Sequence, residues 1–314
     1  MRNGPLKDGE LGSPSPQSRR SFLPYAVLVL VWGLVWPASK LALSHCPPVL
    51  FAGLRVFLSG VALLPWIIAK WDRETLWVNG LLAFLNVFFF FGLQNLALIH
   101  LDAGLLSLLV YIQPVATAVL SRVWLRETFN PTKVIGIGLG FLGVAWISVG
   151  QLSHHPIGGL AVLWGLLAGI SWALGTVFYK RFRTRPRPLM DTGLQLFAGG
   201  LFLLLAGSLQ EHWGHVQWSA PFLAELIFAA LPGTALAWVI WANLLKSGQA
   251  SRVASWTFLV PLISTILSIV WLGERLSLGV ALGGASILLG VYLVNGATFS
   301  GGGSHAENTG SRAP

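Results

Sequence analysis

Charge is scarce in this chain. Asp, Glu, Lys and Arg make up 10% of its 314 residues, against about 25% in soluble domains. So few charges cannot coat a globule of this size, which excludes a soluble enzyme and a disordered tail protein. Cysteine is nearly absent. Cys46 stands alone, which excludes an intramolecular disulfide and a cysteine-rich metal site. The chain also lacks HExxH, GxSxG, a Walker loop and a glycine-rich dinucleotide fingerprint. Gly169-Ile170-Ser171-Trp172-Ala173 only approaches a nucleophile elbow, and it sits inside an apolar run. His154-His155 and the pair His212 and His215 have no accompanying carboxylate cage. No metal and no cofactor is expected.

Apolar residues are plentiful: 54% are hydrophobic, 15 are tryptophan, and mean hydropathy is +0.71. A hydrocarbon core about 30 Å thick needs about 20 apolar residues of helix. Ten such runs are present, at 22–43, 48–69, 75–99, 103–124, 132–150, 158–179, 191–209, 221–244, 252–272 and 277–297. They are too long and too unbroken to be half-buried strands. Backbone groups in lipid must be satisfied internally, so the runs read as helices. The expected fold is an all-α integral membrane protein with ten transmembrane helices. Residues 1–20 and 298–314 are rich in Gly and Ser, with Pro and Arg in the first and Asn in the second, and are expected to be disordered. Ser18-Arg19-Arg20-Ser21-Phe22-Leu23 resembles a twin-arginine export signal. It reads instead as a basic flank, because no A-x-A cleavage site follows and nine more runs do.

With both termini cytoplasmic, nearly every Lys and Arg falls in a cytoplasmic segment, and the opposite loops keep only Arg275. Lys40 and Arg55 lie within spans. The net charge of +9 then faces anionic headgroups on one side of a bilayer and is no footprint for nucleic acid. The expected partners are the lipid bilayer and a small-molecule substrate, with the chain a monomer or homodimer.

The chain repeats itself. A shift of 147 positions lays Pro114 on Pro261, Val123-Trp124-Leu125 on Val270-Trp271-Leu272, Glu127 on Glu274 and Gly136 on Gly283. Trp32 and Lys40 fall on Trp172 and Lys180, and Phe51-Ala52-Gly53 on Phe197-Ala198-Gly199, with slightly different offsets. Two five-helix units are expected, 21–150 and 151–297. Five is odd, so the second unit enters the membrane from the opposite side, an inverted repeat of the kind secondary transporters use.

Several of these residues resemble the EamA-type members of the drug/metabolite transporter superfamily. They are Trp32-Gly33 with Ser39-Lys40, Phe51-Ala52-Gly53-Leu54-Arg55, Pro114, and Trp124-Leu125-Arg126-Glu127 with its copy Trp271-Leu272-Gly273-Glu274. The resemblance covers about residues 22–297. It implies a bacterial inner-membrane exporter or permease of small metabolites, often amino acids, and a central cavity among helices 1, 3, 4, 6, 8 and 9. Small relatives that expel cationic drugs carry a glutamate in helix 1, and this chain has none there.

Candidate transport residues follow from what is polar or aromatic inside hydrocarbon. Lys40 and Lys180 either snorkel to the interface or draw a substrate carboxylate at the cavity mouth. Arg55 either ties to a neighbouring carbonyl or carboxylate, or serves the substrate or a gate. Asn86, Gln113 and Asn243 stand on the expected cavity helices, with interhelical bonding as the alternative. Trp32, Trp36, Trp172, Trp238 and Trp256 are wall or gate candidates, with interfacial belts as the alternative. Pro114, Pro232 and Pro261 interrupt helices 4, 8 and 9 and provide a moving or a static kink. Glu127 and Glu274 are expected to serve tight turns. The resulting expectation is export of an amino acid or related carboxylate by alternating access. Multidrug efflux is the alternative within transporters. An intramembrane enzyme or a non-transporting scaffold is the alternative outside them.

Overall fold

The computed structural model describes residues 22–67, 73–101, 103–149, 159–272 and 278–299. Expectations about residues 1–20 and 300–314, and about His154, His155, Glu274 and Arg275, lie outside these.

The described residues are helical, with no strand among them. Eight helices are long and apolar enough to cross a membrane, and two more are shorter apolar rods. In chain order they are α1 (Leu23–Ala42), α2 (Pro48–Ala62), α3 (Thr75–His100), α4 (Leu106–Trp124), α5 (Pro131–Val149), α6 (Gly159–Phe182), α7 (Pro188–Gln210), α8 (Ala220–Ser247), α9 (Ala250–Leu267) and α10 (Leu278–Phe299). A short turn of helix, Leu64–Ile67, continues α2 beyond a break at Leu63.

Apolar side chains gain little by leaving lipid for another helix, so close packing of small residues must hold the rods together. Two seams show this. Along α5 and α10, a Cβ added to Gly136 would lie 2.7 Å from the Gly290 carbonyl oxygen, and one on Gly143 would lie 2.6 Å from that of Gly283. Along α2 and α7, Gly53 abuts Leu204, Gly200 abuts Phe57, Gly60 abuts Phe197 and Gly207 abuts Leu50. Within each seam a rising residue number on one helix meets a falling number on the other, so both pairs run antiparallel. Each contact also has an image displaced by 147. Gly136 on Gly290 corresponds to Gly283 on Gly143, and Gly53 on Leu204 to Gly200 on Phe57.

The irregular backbone is matched in the same way. The middle of α3 is a π-helical stretch, Ala83–Phe89, and the middle of α8 is another, Leu231–Leu236. The α4 segment breaks at Tyr111-Ile112, just before Gln113 and Pro114. The α9 segment tightens to a 3₁₀ turn at Trp256–Phe258, just before Pro261. Pro114 occupies the first turn of the helix that follows the α4 break, where a missing N–H costs least, and Pro232 lies at the start of the α8 π stretch. These interruptions are tolerated only inside protein, where freed carbonyls find partners. At the α8 stretch the Ala229 carbonyl accepts from the Thr234 hydroxyl at 2.8 Å, and the Ala230 carbonyl accepts from Ser59 of α2 at 2.8 Å.

The tight turn after α4 places Arg126 at φ 53°, a left-handed conformation that closes the helix. It aims Glu127 at the start of α9. The carboxylate accepts from the Ala250 N–H at 2.7 Å and from the Ser251 hydroxyl, and pairs with Lys133 at 3.3 Å. The turn role expected of Glu127 is thus a cap on a helix of the other half.

Candidate functional site

Where the interrupted helices meet α1, α2 and α6, they leave a chamber. Its walls are Trp32, Val35 and Trp36 of α1, Arg55 of α2, Phe90, Phe91 and Gln94 of α3, Val110 and Tyr111 at the α4 break, Trp172 of α6 and Trp238 of α8. The helical period of α1 puts Trp32 and Trp36 on one face. Trp32 meets Trp172 edge-on, with centroids 5.3 Å apart at 84°. These two are equivalent in the repeat, so each indole touches its own image. Phe91 and Trp238, equivalent by the shift of 147, also touch, at 5.8 Å. Trp241 completes an indole cluster, 5.7 Å from Trp32 and 5.4 Å from Trp172. The Trp36 indole N–H donates to the Tyr111 hydroxyl at 3.2 Å.

Arg55 is the charged member of this set, and it is 2% exposed. Its Nε donates to Thr234 Oγ1 at 2.7 Å, its Nη1 donates to Ser39 Oγ at 3.2 Å, and its guanidinium lies 5.0 Å from the Phe91 ring centre. The α8 π stretch is what turns Thr234 toward it. No carboxylate pairs with Arg55 among the described residues. A buried cation ordinarily has an anionic partner, because desolvating it alone is costly. The indole N–H of Trp172 is a second donor in the walls without a partner, and it is buried. The free space here is about 30 Å³, room for a water or two. Anything larger fits only if the walls move.

The other candidate residues stand elsewhere. Lys40 donates to the Leu98 carbonyl, in the last turn of α3, at 2.9 Å. Lys180 donates to the Leu245 carbonyl, in the last turn of α8, at 2.6 Å. Leu98 and Leu245 are also equivalent by 147, so repeat-matched lysines cap repeat-matched helix ends. Lys40 further borders a pocket of about 440 Å³ with His45, Cys46, Leu98 and His215. Burial, with the Glu211 charge adding to it, pushes the Cys46 thiol up to about 12. Asn86 bonds Gln195 at 3.3 Å and fills the space left by Gly175. Gln113 bonds Thr117 on its own helix at 3.0 Å. Asn243 is exposed and bonds the Val239 carbonyl at 2.8 Å. Trp256 stacks on Tyr25 with centroids 4.7 Å apart. These four lie off the chamber wall.

Val35, Phe90, Phe91, Val110 and Tyr111 line the chamber without having stood out in the sequence, and Gln94 was only one of several amides. The run of phenylalanines at 88–91 carries no polar signal, and only the repeat could have marked Phe91 as the image of Trp238. A polar ladder also escaped notice. Asp191 accepts from Arg183 Nε at 2.9 Å, from Asn79 at 2.9 Å, from the Tyr179 hydroxyl at 3.1 Å and from the Arg187 N–H at 2.7 Å. Glu211 caps α2 through the N–H groups of Val49 and Leu50. Glu225 faces His45 at 3.5 Å, away from the chamber. No group of three or more metal-ligating side chains occurs among the described residues.

An apolar helical bundle broken in mid-span around a small chamber with one uncompensated charge is the architecture of a multi-pass membrane protein that handles a solute. The comparisons with known proteins identify which kind. The model of the EamA-like transporter family matches twice, over residues 22–149 and 159–296. The uncharacterized transporter YvbV of Bacillus subtilis (strain 168) is 42% identical, over 89% of this chain and 92% of that one. A probable amino-acid metabolite efflux pump of Salmonella typhimurium is 30% identical, over 88% and 95%. A solved crystal structure at 19% identity shares the fold, with a TM-score of 0.73 over 86% of this chain and 94% of that one. The chain belongs to the EamA-like transporter family. It is a transporter, not an enzyme.

Proposed function

We propose that this protein exports a small carboxylate-bearing metabolite, an amino acid or a close relative, by alternating access through the tryptophan-walled chamber. Arg55 carries the reading, because a cation held by two hydroxyls and an aromatic ring meets no anionic partner among the described residues. The names of two relatives, probable amino-acid metabolite efflux pumps of Salmonella typhimurium and Escherichia coli, agree with it. A cationic drug would meet an uncompensated positive charge here, so multidrug efflux is disfavoured.

The mechanism asks for ten spans in two inverted five-helix units. The image-related glycine contacts, the paired π stretches, the paired breaks before Pro114 and Pro261 and the double family match support that arrangement. Two halves of opposite orientation can exchange conformations and so open one site to either side in turn. The distribution of Lys and Arg supports cytoplasmic termini in a bacterial inner membrane. In this reading Lys40 and Lys180 latch opposite faces, and the interrupted midpoints of α3, α4, α8 and α9 are where the walls flex. The test is efflux of radiolabelled amino acids and their deaminated analogues from proteoliposomes. Arg55→Gln should cut flux at least tenfold in protein that still elutes as a folded species. Unchanged flux in that variant refutes the role of Arg55.

A further inference from the structure

Building on that reading, we propose that the cargo is an apolar monocarboxylate carried as its anion with its charge uncompensated, so that the membrane potential itself drives export. The chamber offers donors and no fixed negative charge. Arg55 Nη2 has no partner among the described residues, the Trp172 indole N–H is unsatisfied, and the Gln94 amide sits beside them. Four carboxylates are committed elsewhere. Glu127 caps α9, Asp191 pairs with Arg183, Glu211 caps α2 and Glu225 faces His45. The repeat does not supply a second charge, since the shift of 147 lays Arg55 on Phe202.

Two consequences follow. The carboxylate of a zwitterion is satisfied at Arg55, but its ammonium would be buried without an anion, which is costly. An amino acid is therefore a poorer cargo than the hydroxy acid of the same skeleton. A proton returning against the cargo would also need a titratable group in the chamber, and its walls hold no carboxylate or histidine among the described residues. Each export cycle then moves one negative charge outward, down an inside-negative potential. That favours the outside by about 50-fold per 100 mV.

The experiment uses the full chain in proteoliposomes loaded with radiolabelled 3-phenyllactate or phenylalanine, with potassium gradients and valinomycin setting the potential. Protein-free liposomes set the passive leak. Phenyllactate should leave fastest under lumen-negative potential and should settle at a ratio approaching 50-fold at 100 mV. Phenylalanine should move at least tenfold more slowly and without voltage dependence. Phenyllactate flux that ignores voltage, or phenylalanine flux equal to or above it, overturns this inference and leaves carboxylate transport standing. Indifference of every flux to Arg55→Gln overturns both. The wild-type voltage arm decides the matter even where Arg55→Gln fails to fold. Trp172→Phe, which keeps the ring and loses the donor, should weaken phenyllactate selectively.

Discussion

Under the proposed alternating-access cycle, removing one latch at a time should move the chain between an outward-open and an inward-open state in opposite directions. Lys40→Met frees the Leu98 carbonyl, and Lys180→Met frees that of Leu245, while both keep an apolar stem of similar length. A hydrogen bond from a charged donor contributes about 1.5–3 kcal/mol. Lys40 is exposed and belongs at the lower end, which is a factor of about ten in the outward-open population. Lys180 is half-buried, and its loss favours the inward-open state by at least as much. The chain carries its own reporter, because Cys46 is its single cysteine and borders the pocket beside Lys40. Buried and with its thiol pushed up to about 12, Cys46 reacts slowly while the outer face is shut. A membrane-impermeant maleimide added from outside should label it about tenfold faster in Lys40→Met than in wild type. Lys180→Met should label it more slowly than wild type. Faster labelling in both variants would mean general loosening, and unchanged labelling would mean that neither lysine holds a gate. Either result defeats the reasoning.

The α5–α10 seam supplies its own control. A Cβ on Gly290 would lie 2.5 Å from the Gly136 oxygen, whereas one on Gly138 meets nothing within 4 Å. Gly290→Ala should cost about 1–3 kcal/mol by overpacking, read as a lower melting temperature in detergent, and Gly138→Ala should not lower it. At the α9 cap, Glu127→Ala takes the anion from buried Lys133, which keeps only Gln249, the Thr128 carbonyl and the Phe129 ring, and takes the acceptor from the Ala250 N–H, so it should cost about 3 kcal/mol. The same thermal scan would show little loss if the cap is incidental.

The apolar runs and their breaks were legible because hydropathy over about 20 residues is a strong signal. The frame that holds Glu127 was legible because Trp-Leu-x-Glu recurs at Glu274. The faces of the helices were not. Asn243 and Gln113 stand on the expected helices yet bond only within their own, because an amide in an apolar run serves its own helix or a neighbour equally well. Lys40 and Lys180 looked equally suited to snorkelling and to substrate. Their targets, Leu98 and Leu245, are backbone carbonyls that no side-chain pattern announces. The ladder at Asp191 was not legible either. Asp191 reaches back to the Arg187 N–H and to Arg183 in the preceding turn, but its bond to Asn79 depends on a neighbour 112 positions away in sequence.

The glycine seams have a consequence for how such a chain could arise. In a two-fold homodimer, residue i of one copy meets residue j of the other, and j meets i. Gly136 on Gly290 and Gly283 on Gly143 obey that rule within one polypeptide. A free-standing five-helix ancestor inserted in both orientations could therefore have paired with itself through these same surfaces, before duplication and fusion joined the copies. In such an ancestor every residue would have had to serve both sides of the bilayer at once. Fusion would lift that constraint, and a residue such as Arg55, whose image under the shift of 147 is Phe202, is what one half could then acquire without forcing a second buried charge on the other.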